Sequence, residues 1–240
     1  MAAKPFEGLN VIDMTWSGAG VFIMNFLSHY GATMVRVESM KQPDPIRRVY
    51  TYTDVTNDSP NAINRSALFA FSHPTPKYSI TLDLKNPKAV DIFKQLVAWS
   101  DVLGECFPTG VMERFGLGYE ELKKIKPDLI MMRSCGYGHN GPMAKQAGFG
   151  MTLAAYAMMY SLAGWPDRGP VPISSYYSDQ LSPLLGILAM IAAIDYRRRT
   201  GKGQCIDQSQ IESSINYLTP LVLDYSANKR NLTRTGNKCA

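Results

Sequence analysis

Between Leu9 and Glu38 the chain reads as an apolar run, "LNVID", a small-residue turn, "TWSGAG", an apolar helical stretch, "VFIMNFLSHYG", stopped by Gly31, and an alternating run, "ATMVRVE". Strand, glycine turn, helix and strand over about 30 residues form a βαβ unit, and two strands joined by a helical crossover must be parallel. The unit therefore commits the chain to a parallel sheet with its ligand crevice beyond the carboxyl ends of the strands. The turn Ser17, Gly18, Ala19, Gly20 has two readings: a tight turn that needs small residues, or a loop whose backbone N–H groups face a phosphate or an adenine edge. G-A-G without a third glycine is a loose match to a dinucleotide-binding loop.

The same rhythm continues downstream. "KYSITLDL" predicts a strand, "NPKAVDIFKQLVAWS" a helix opened by Asn86 at the N-cap and Pro87 at the first position, and "DVLGECF" another strand. A short helix, a second from about Tyr119 to Lys126, and a strand from Leu129 to Ser134 lead into "CGYGHNGP". There Gly136, Gly138 and Gly141 let the backbone pass close to a ligand, and His139 is expected to be a solvated loop histidine. Between Lys41 and Ser66, Pro, Asp, Asn, Thr and Arg replace the periodicity, which predicts a long surface excursion acting as a lid or subunit contact. Gly148 to Ala163 is apolar and Met-rich and predicts a core helix, with Met151, Met158 and Met159 lining a cavity as the other reading.

One carboxylate stands out. Asp179 follows a Pro/Ser/Tyr-rich approach and directly precedes an apolar run from Leu181 to Ile194, inside a helix expected from about Gln180 to Arg199. Ser178 and Asp179 are both good N-cap residues, so the plain reading is a capped helix. The chemical reading is a carboxylate nucleophile held still by a helix that cannot leave the core. "GQCID" then predicts a strand, and "QSQIESSINYLTPLVLDYSAN" one helix starting near Ser209.

At 240 residues, 45% hydrophobic and 19% charged, the chain can bury a large core. No run reaches the roughly 18 apolar residues of a membrane span, and no signal-peptide pattern opens the sequence, so the expectation is a cytoplasmic protein without a membrane partner. Four scattered cysteines and three isolated histidines give no zinc-ligand spacing and no disulfide framework. The net charge of +5 is too modest for a nucleic-acid partner. Its densest cluster, Arg197 to Arg199 with Lys202, falls at an expected helix end, where it complements the dipole and would also suit a phosphate.

Taken together, "GLNVIDMTWSGAG…GATMVRVES", "KYSITLDLKNPKA", "GVMERFGLGYEELKKIKPDLI", "GYGHNGP" and "RRRTGKGQCIDQSQIES" resemble the class III coenzyme A transferases, the CaiB/BaiF family, over essentially the whole chain. The resemblance implies an α/β fold, a Rossmann-like parallel sheet flanked by helices. It also implies that residues 1–225 form the large CoA-binding and catalytic domain and residues 226–240 begin the connection to a second, small domain. The small domain and the return segment would be missing, making this the N-terminal portion of a longer chain that assembles as an interlocked homodimer or with a related subunit. In the family the catalytic aspartate lies a fixed distance before the TGxGQ turn, and counting back from Thr200 lands on Asp179.

The resemblance further implies an acyl-CoA substrate, a carboxylic acid acceptor, an aspartyl mixed anhydride and an aspartyl-CoA thioester on Asp179, and no tightly bound cofactor or metal. The donor suggested is succinyl-CoA. Contacts to CoA carry over to Trp16, Ser17, Gly18, Ala19, Leu82, Lys85, Phe107, Arg114 and Phe115. Lys85 and Arg114 would bind phosphates, and Phe107 or Phe115 would flank the adenine. The loop of Gly136, Tyr137, Gly138 and Gly141 would close over the intermediate, and Trp165, Tyr176, Tyr177 and the Met-rich helix would line an acyl pocket. Cys106, Ser39 and Pro76 depart from the family pattern. A related racemase activity would need a histidine after Gly148, where this chain has Phe149; a non-catalytic subunit would have no use for Asp179.

Overall fold

The computed structural model of the protein describes residues 4–49, 66–74, 77–173 and 176–238. Among them six strands form one parallel sheet: β1 Asn10–Met14, β2 Thr33–Glu38, β3 Tyr78–Thr81, β4 Val102–Glu105, β5 Ile130–Cys135 and β6 Gln204–Ser209, in the order β3-β2-β1-β4-β5-β6. The helices are α1 Ala19–His29, α2 Ala67–Ser72, α3 Pro87–Trp99, α4 Val111–Arg114, α5 Tyr119–Ile125, α6 Gly150–Tyr156, α7 Tyr177–Thr200, α8 Gln210–Asn216 and α9 Thr219–Asn228. Strand order reverses between β1 and β4, and at such a switch point the connections leave to opposite sides and open a crevice at the strand carboxyl ends.

The central strands β1, β4 and β5 are buried on both faces of the sheet, whereas the edge strands β3 and β6 are largely exposed. Successive side chains alternate between two cores. Val11, Val102, Ile130 and Met132 pack with Ile23, Leu27 and Met190 of α1 and α7. Ile12, Leu103 and Met131 pack with Phe93, Val97 and Leu122 of α3 and α5. Each fully buried side chain of this size is worth about 1.5–3 kcal/mol relative to exposure. Asn86 caps α3 as the sequence predicts, its side chain accepting from the Lys88 N–H, with Pro87 at the start. Gly201 ends α7 in the left-handed region at φ 71°, which suits a residue without a Cβ.

By length and composition α7 could cross a membrane, but its buried residues Gly186, Met190, Ala193 and Ile194 face α1 and the sheet. Two arginines of its basic end are held in ion pairs, while Arg198 donates to the Pro5 carbonyl. Arg197 joins Asp101 and Asp128, and Arg199 joins Asp195. Asp101 and Asp128 precede β4 and β5, so this cluster lies at the edge of the sheet opposite the crevice and does not supply it with a phosphate ligand.

The structure corrects several expected boundaries. α7 starts three residues earlier than expected, so Asp179 lies inside its first turn and caps nothing; the N-cap is Tyr176, with no side-chain cap bond. Ser178 cannot cap because its Oγ donates instead to the Gly150 carbonyl at 2.7 Å. The Met-rich segment is not one core helix. α6 ends at Tyr156, Met158 turns left-handed at φ 63°, and a 3-10 turn covers Met159–Leu162, leaving Met151 and Met158 46% and 62% exposed. The helix expected after Ser209 is broken at Tyr217–Leu218 into α8 and α9, because Pro220 cannot continue a preceding helix. β3 and β4 are shorter than their apolar runs. Of the 41–66 excursion, a 3-10 turn over Pro45–Arg48 is described, while the expected lid at 50–65 and Pro76 lie outside the described residues.

Gly203 shows how tightly β6 enters the sheet. A Cβ there would lie 2.1 Å from the Leu129 carbonyl oxygen and 2.6 Å from the Asp128 carbonyl carbon. Both are backbone atoms and cannot rotate away. Gly203→Ala is expected to cost about 1–3 kcal/mol, read in urea as a lower midpoint with an unchanged slope.

Candidate active site

The crevice at the switch point is built from the loops that follow β1 and β4. After β1, Trp16 and Ser17 turn toward α1, and Ser17 adopts a left-handed conformation at φ 60°, unusual for a residue with a Cβ. Asp44 holds it there: its carboxylate accepts from the Ser17 N–H at 3.2 Å and from the Ser17 hydroxyl at 3.3 Å. Asp44 is fixed by Arg36, which reaches it at 2.9 Å and also donates to the Thr15 carbonyl. Beneath lies Asp13, fully buried, paired with Arg36 and with Lys77 at 2.8 Å. Burial pushes its carboxyl up, but Lys77 and Arg36 outweigh this and hold it at about 2. The Trp16 N–H donates to Cys106 Sγ at 2.8 Å, so the cysteine noted as a departure serves as an acceptor in the loop after β4.

These loops and the loop after β3 enclose a cleft of about 780 Å³. Six of the residues implied by the resemblance line it together: Trp16, Leu82, Lys85, Phe107, Arg114 and Phe115. The rings of Trp16 and Phe107 meet edge to face, centroids 5.2 Å apart, and Ser39 is also at the wall. Lys85 and Arg114 are exposed. Ser17, Gly18 and Ala19 do not line this cleft; they stand beside it and lead to Asp179.

Asp179 is partly buried where the first turns of α1, α6 and α7 converge. A Cβ added to Gly18 would lie 3.0 Å from its Cγ and Oδ2, and one added to Gly150 only 2.6 Å from Oδ2 and 2.7 Å from Cγ. Two glycines at helix starts thus flank the carboxylate, and neither α1 nor α6 has a capping side chain to compete for its first N–H groups. Gln210, at the start of α8, donates through Nε2 to Asp179 Oδ1 and, at 3.1 Å, to Ser178 Oγ. Burial raises the Asp179 carboxyl above its ordinary value of 3.8, and the Gln210 amide opposes the shift. The result is a poorly solvated carboxylate with one oxygen held and the other turned to two glycines, arranged to act as a nucleophile.

The glycine loop divides. Gly138 and Gly141 are left-handed, at φ 80° and 90°, while Gly136 packs on Leu153 of α6 and its carbonyl accepts from the Ile211 N–H. Tyr137 is buried against Tyr156. His139 is not solvated as expected: its side chain is 5% exposed, because Asp207 accepts its N–H and draws the loop onto β6. A smaller cavity of about 290 Å³ is lined by Met159, Tyr177, Leu181 and Tyr217; Trp165 and Tyr176 are not part of it and are half exposed. Phe149, at the position where a racemase would carry its histidine, is 78% exposed and has no proton to transfer.

Gln210, Gly150 and Asp44 escaped the sequence reading. "QSQIES" and "GFGMT" contain two of them, but nothing in local pattern ties either to Asp179, 31 and 29 residues away along the chain.

The profile of CoA-transferase family III matches residues 6–240. The succinyl-CoA–L-malate CoA-transferase beta subunit of Chloroflexus aurantiacus is 35% identical over 234 residues, covering 97% of this chain and 56% of that protein. The acetyl-CoA:oxalate CoA-transferase of Acetobacter aceti is 34% identical over 235 residues, 98% of this chain and 58% of that one. The crystal structure of a CAIB/BAIF family protein from Brucella suis superposes with a TM-score of 0.88 at 32% identity, covering 98% of this chain and 61% of that chain. The chain thus spans little more than half the length of these curated relatives.

Proposed function

The chain belongs to CoA-transferase family III, and from that premise we propose that it moves coenzyme A from an acyl-CoA donor to a carboxylic acid acceptor through covalent intermediates on Asp179. The observation that carries this reading is the Asp179 carboxylate, flanked by Gly18 and Gly150 and held by Gln210, with Trp16, two residues before Gly18, in the wall of the 780 Å³ cleft. The cleft takes the nucleotide end of CoA: Lys85 and Arg114 meet phosphates and the Phe107 and Phe115 rings meet the adenine.

Asp179 attacks the thioester carbonyl, expelling CoA thiolate and forming a mixed anhydride between the donor acid and the aspartyl carboxyl. Thiolate then attacks the aspartyl carbonyl, releasing the donor acid and leaving an aspartyl-CoA thioester. The acceptor carboxylate attacks that thioester, and the returning thiolate carries off the acceptor acyl group, freeing Asp179. Each step exchanges one activated acyl bond for another, so no ATP enters. The uncapped first turns of α1 and α6 supply N–H donors to the oxyanion that forms when the thioester carbonyl is attacked. The 136–141 loop shields the intermediate from water, and the apolar cavity beside Tyr177 receives the acyl chain. Succinyl-CoA is the proposed donor, on the likeness to the Chloroflexus protein. That relative is by name a subunit, which supports assembly of the present chain with a second one, like or unlike.

The test is to trap the intermediate. Protein incubated with succinyl-CoA is quenched with hydroxylamine or borohydride and digested. Asp179 is expected as the hydroxamate in the first case and as homoserine in the second, both absent from Asp179→Asn. An unmodified Asp179 in protein that binds the thioester would overturn the covalent route.

A further inference from the structure

The loop after β5 brings together three side chains that the proposed transfer does not use. Cys135 ends β5, His139 follows in the loop, and Asp207 lies on the neighbouring strand β6. One atom from each, the Cys135 sulfur, a His139 ring nitrogen and an Asp207 carboxylate oxygen, all lie within 4.8 Å of one another. The imidazole is the telling member. Its side chain is 5% exposed, and neither ring nitrogen has a hydrogen-bond partner among the described residues. A buried imidazole without partners forfeits two hydrogen bonds, an arrangement that proteins rarely leave uncompensated.

We propose that Cys135, His139 and Asp207 form a three-ligand site for a divalent cation of the zinc class. Thiolate, imidazole and carboxylate are the donors such an ion prefers, and three protein ligands leave a fourth position for water. A tetrahedral ion with bonds of about 2.0–2.3 Å holds its donors roughly 3.5 Å apart, so closure asks for about 1 Å of side-chain movement. Glu105 Oε1 lies 3.5 Å from His139 Nε2, outside hydrogen-bond contact in this arrangement, and is the kind of carboxylate that would orient the imidazole once the ring is drawn onto an ion. Asp207 is steadied by the His139 N–H and by Asn140. Asp207 is exposed, which gives the ion its entry. Binding displaces the Cys135 thiol proton to solvent, and thiolate plus carboxylate balance the two positive charges. The ion would pin the 136–141 loop to β6.

Cobalt(II) is the probe, and its readout does not depend on any transferase activity. Titration of the metal-free protein is expected to produce a thiolate-to-cobalt charge-transfer band in the near ultraviolet with saturation at one equivalent, bleached by zinc. Cys135→Ser should lose the band, His139→Ala and Asp207→Asn should each weaken binding at least about 10-fold, and Cys205→Ser should keep it. No band in protein whose circular dichroism shows it folded, or a band that survives Cys135→Ser, would overturn the site.

Discussion

Asp179→Asn is expected to lower turnover by on the order of 10⁴-fold or more while making the protein more stable at neutral pH. The activity loss follows from the proposed role of Asp179 as nucleophile, which an amide cannot fill. The gain in stability follows from linkage. The folded-state pKa of Asp179 lies above the ordinary 3.8 because burial disfavours the charged form. The protonated carboxyl is therefore favoured by folding, and this contribution is fully present below 3.8 and lost as pH rises through the raised value. At pH 7 the native state carries a poorly solvated anion that the amide would not impose, while the Asn oxygen can still accept from Gln210. Urea denaturation of the two proteins should show the variant more stable at pH 7, with the difference shrinking as pH falls toward 3.8. The same shift sets the activity profile, because a protonated Asp179 cannot attack: the acid limb should lie above 3.8. Equal stability at pH 7 would mean the carboxylate is better solvated than its surroundings indicate.

Gly150→Ala is the second large effect. Its Cβ would stand 2.6 Å from Oδ2 and 2.7 Å from Cγ of Asp179, well inside contact distance. What must give way is the end of a side chain, not backbone, so the fold should survive while the carboxylate swings off its line of attack. A displacement of about 1 Å at the reacting atom costs on the order of 10²-fold in rate. Gly18→Ala, whose Cβ would meet the same carboxylate at 3.0 Å, should be milder. The expected order of kcat is therefore wild type, Gly18→Ala, Gly150→Ala, with both variants retaining the wild-type circular dichroism and thermal transition. A Gly150→Ala protein with full kcat would show that Asp179 moves away from Gly150 before it reacts.

The sheet was readable in advance because its signals are local. The central strands β1, β4 and β5 carry short apolar runs, and β1, β3 and β4 are each followed within a few residues by a helix. The helix signals worked where ends are spelled out, as at Asn86 and Gly31. They failed where tertiary contacts overrode them. Ser178 looks like a cap but is drawn to the Gly150 carbonyl, which lets α7 begin a turn early and takes Asp179 inside the helix. The Met-rich segment has the composition of a core helix, yet the turn at Met158 breaks it, and no residue in the segment announces that turn. His139 looked like a loop residue in water until Asp207, 68 residues later, drew it under.

The sequence by itself determined the parallel sheet, a crevice beyond the strand carboxyl ends, and the family resemblance from which Asp179 and the cleft residues Trp16, Lys85, Phe107 and Arg114 were chosen. The sheet and its crevice follow from periodicity and glycine placement, and the site residues are what the resemblance of several short motifs implies; both are properties of short stretches. Only the tertiary structure decided what surrounds the carboxylate. Gly18, Gly150 and Gln210 meet Asp179 from three separate helix starts, and Cys135, His139 and Asp207 meet across two strands. Burial and hydrogen bonding set the reactivity of such groups, and both depend on atoms that the chain brings together from far apart.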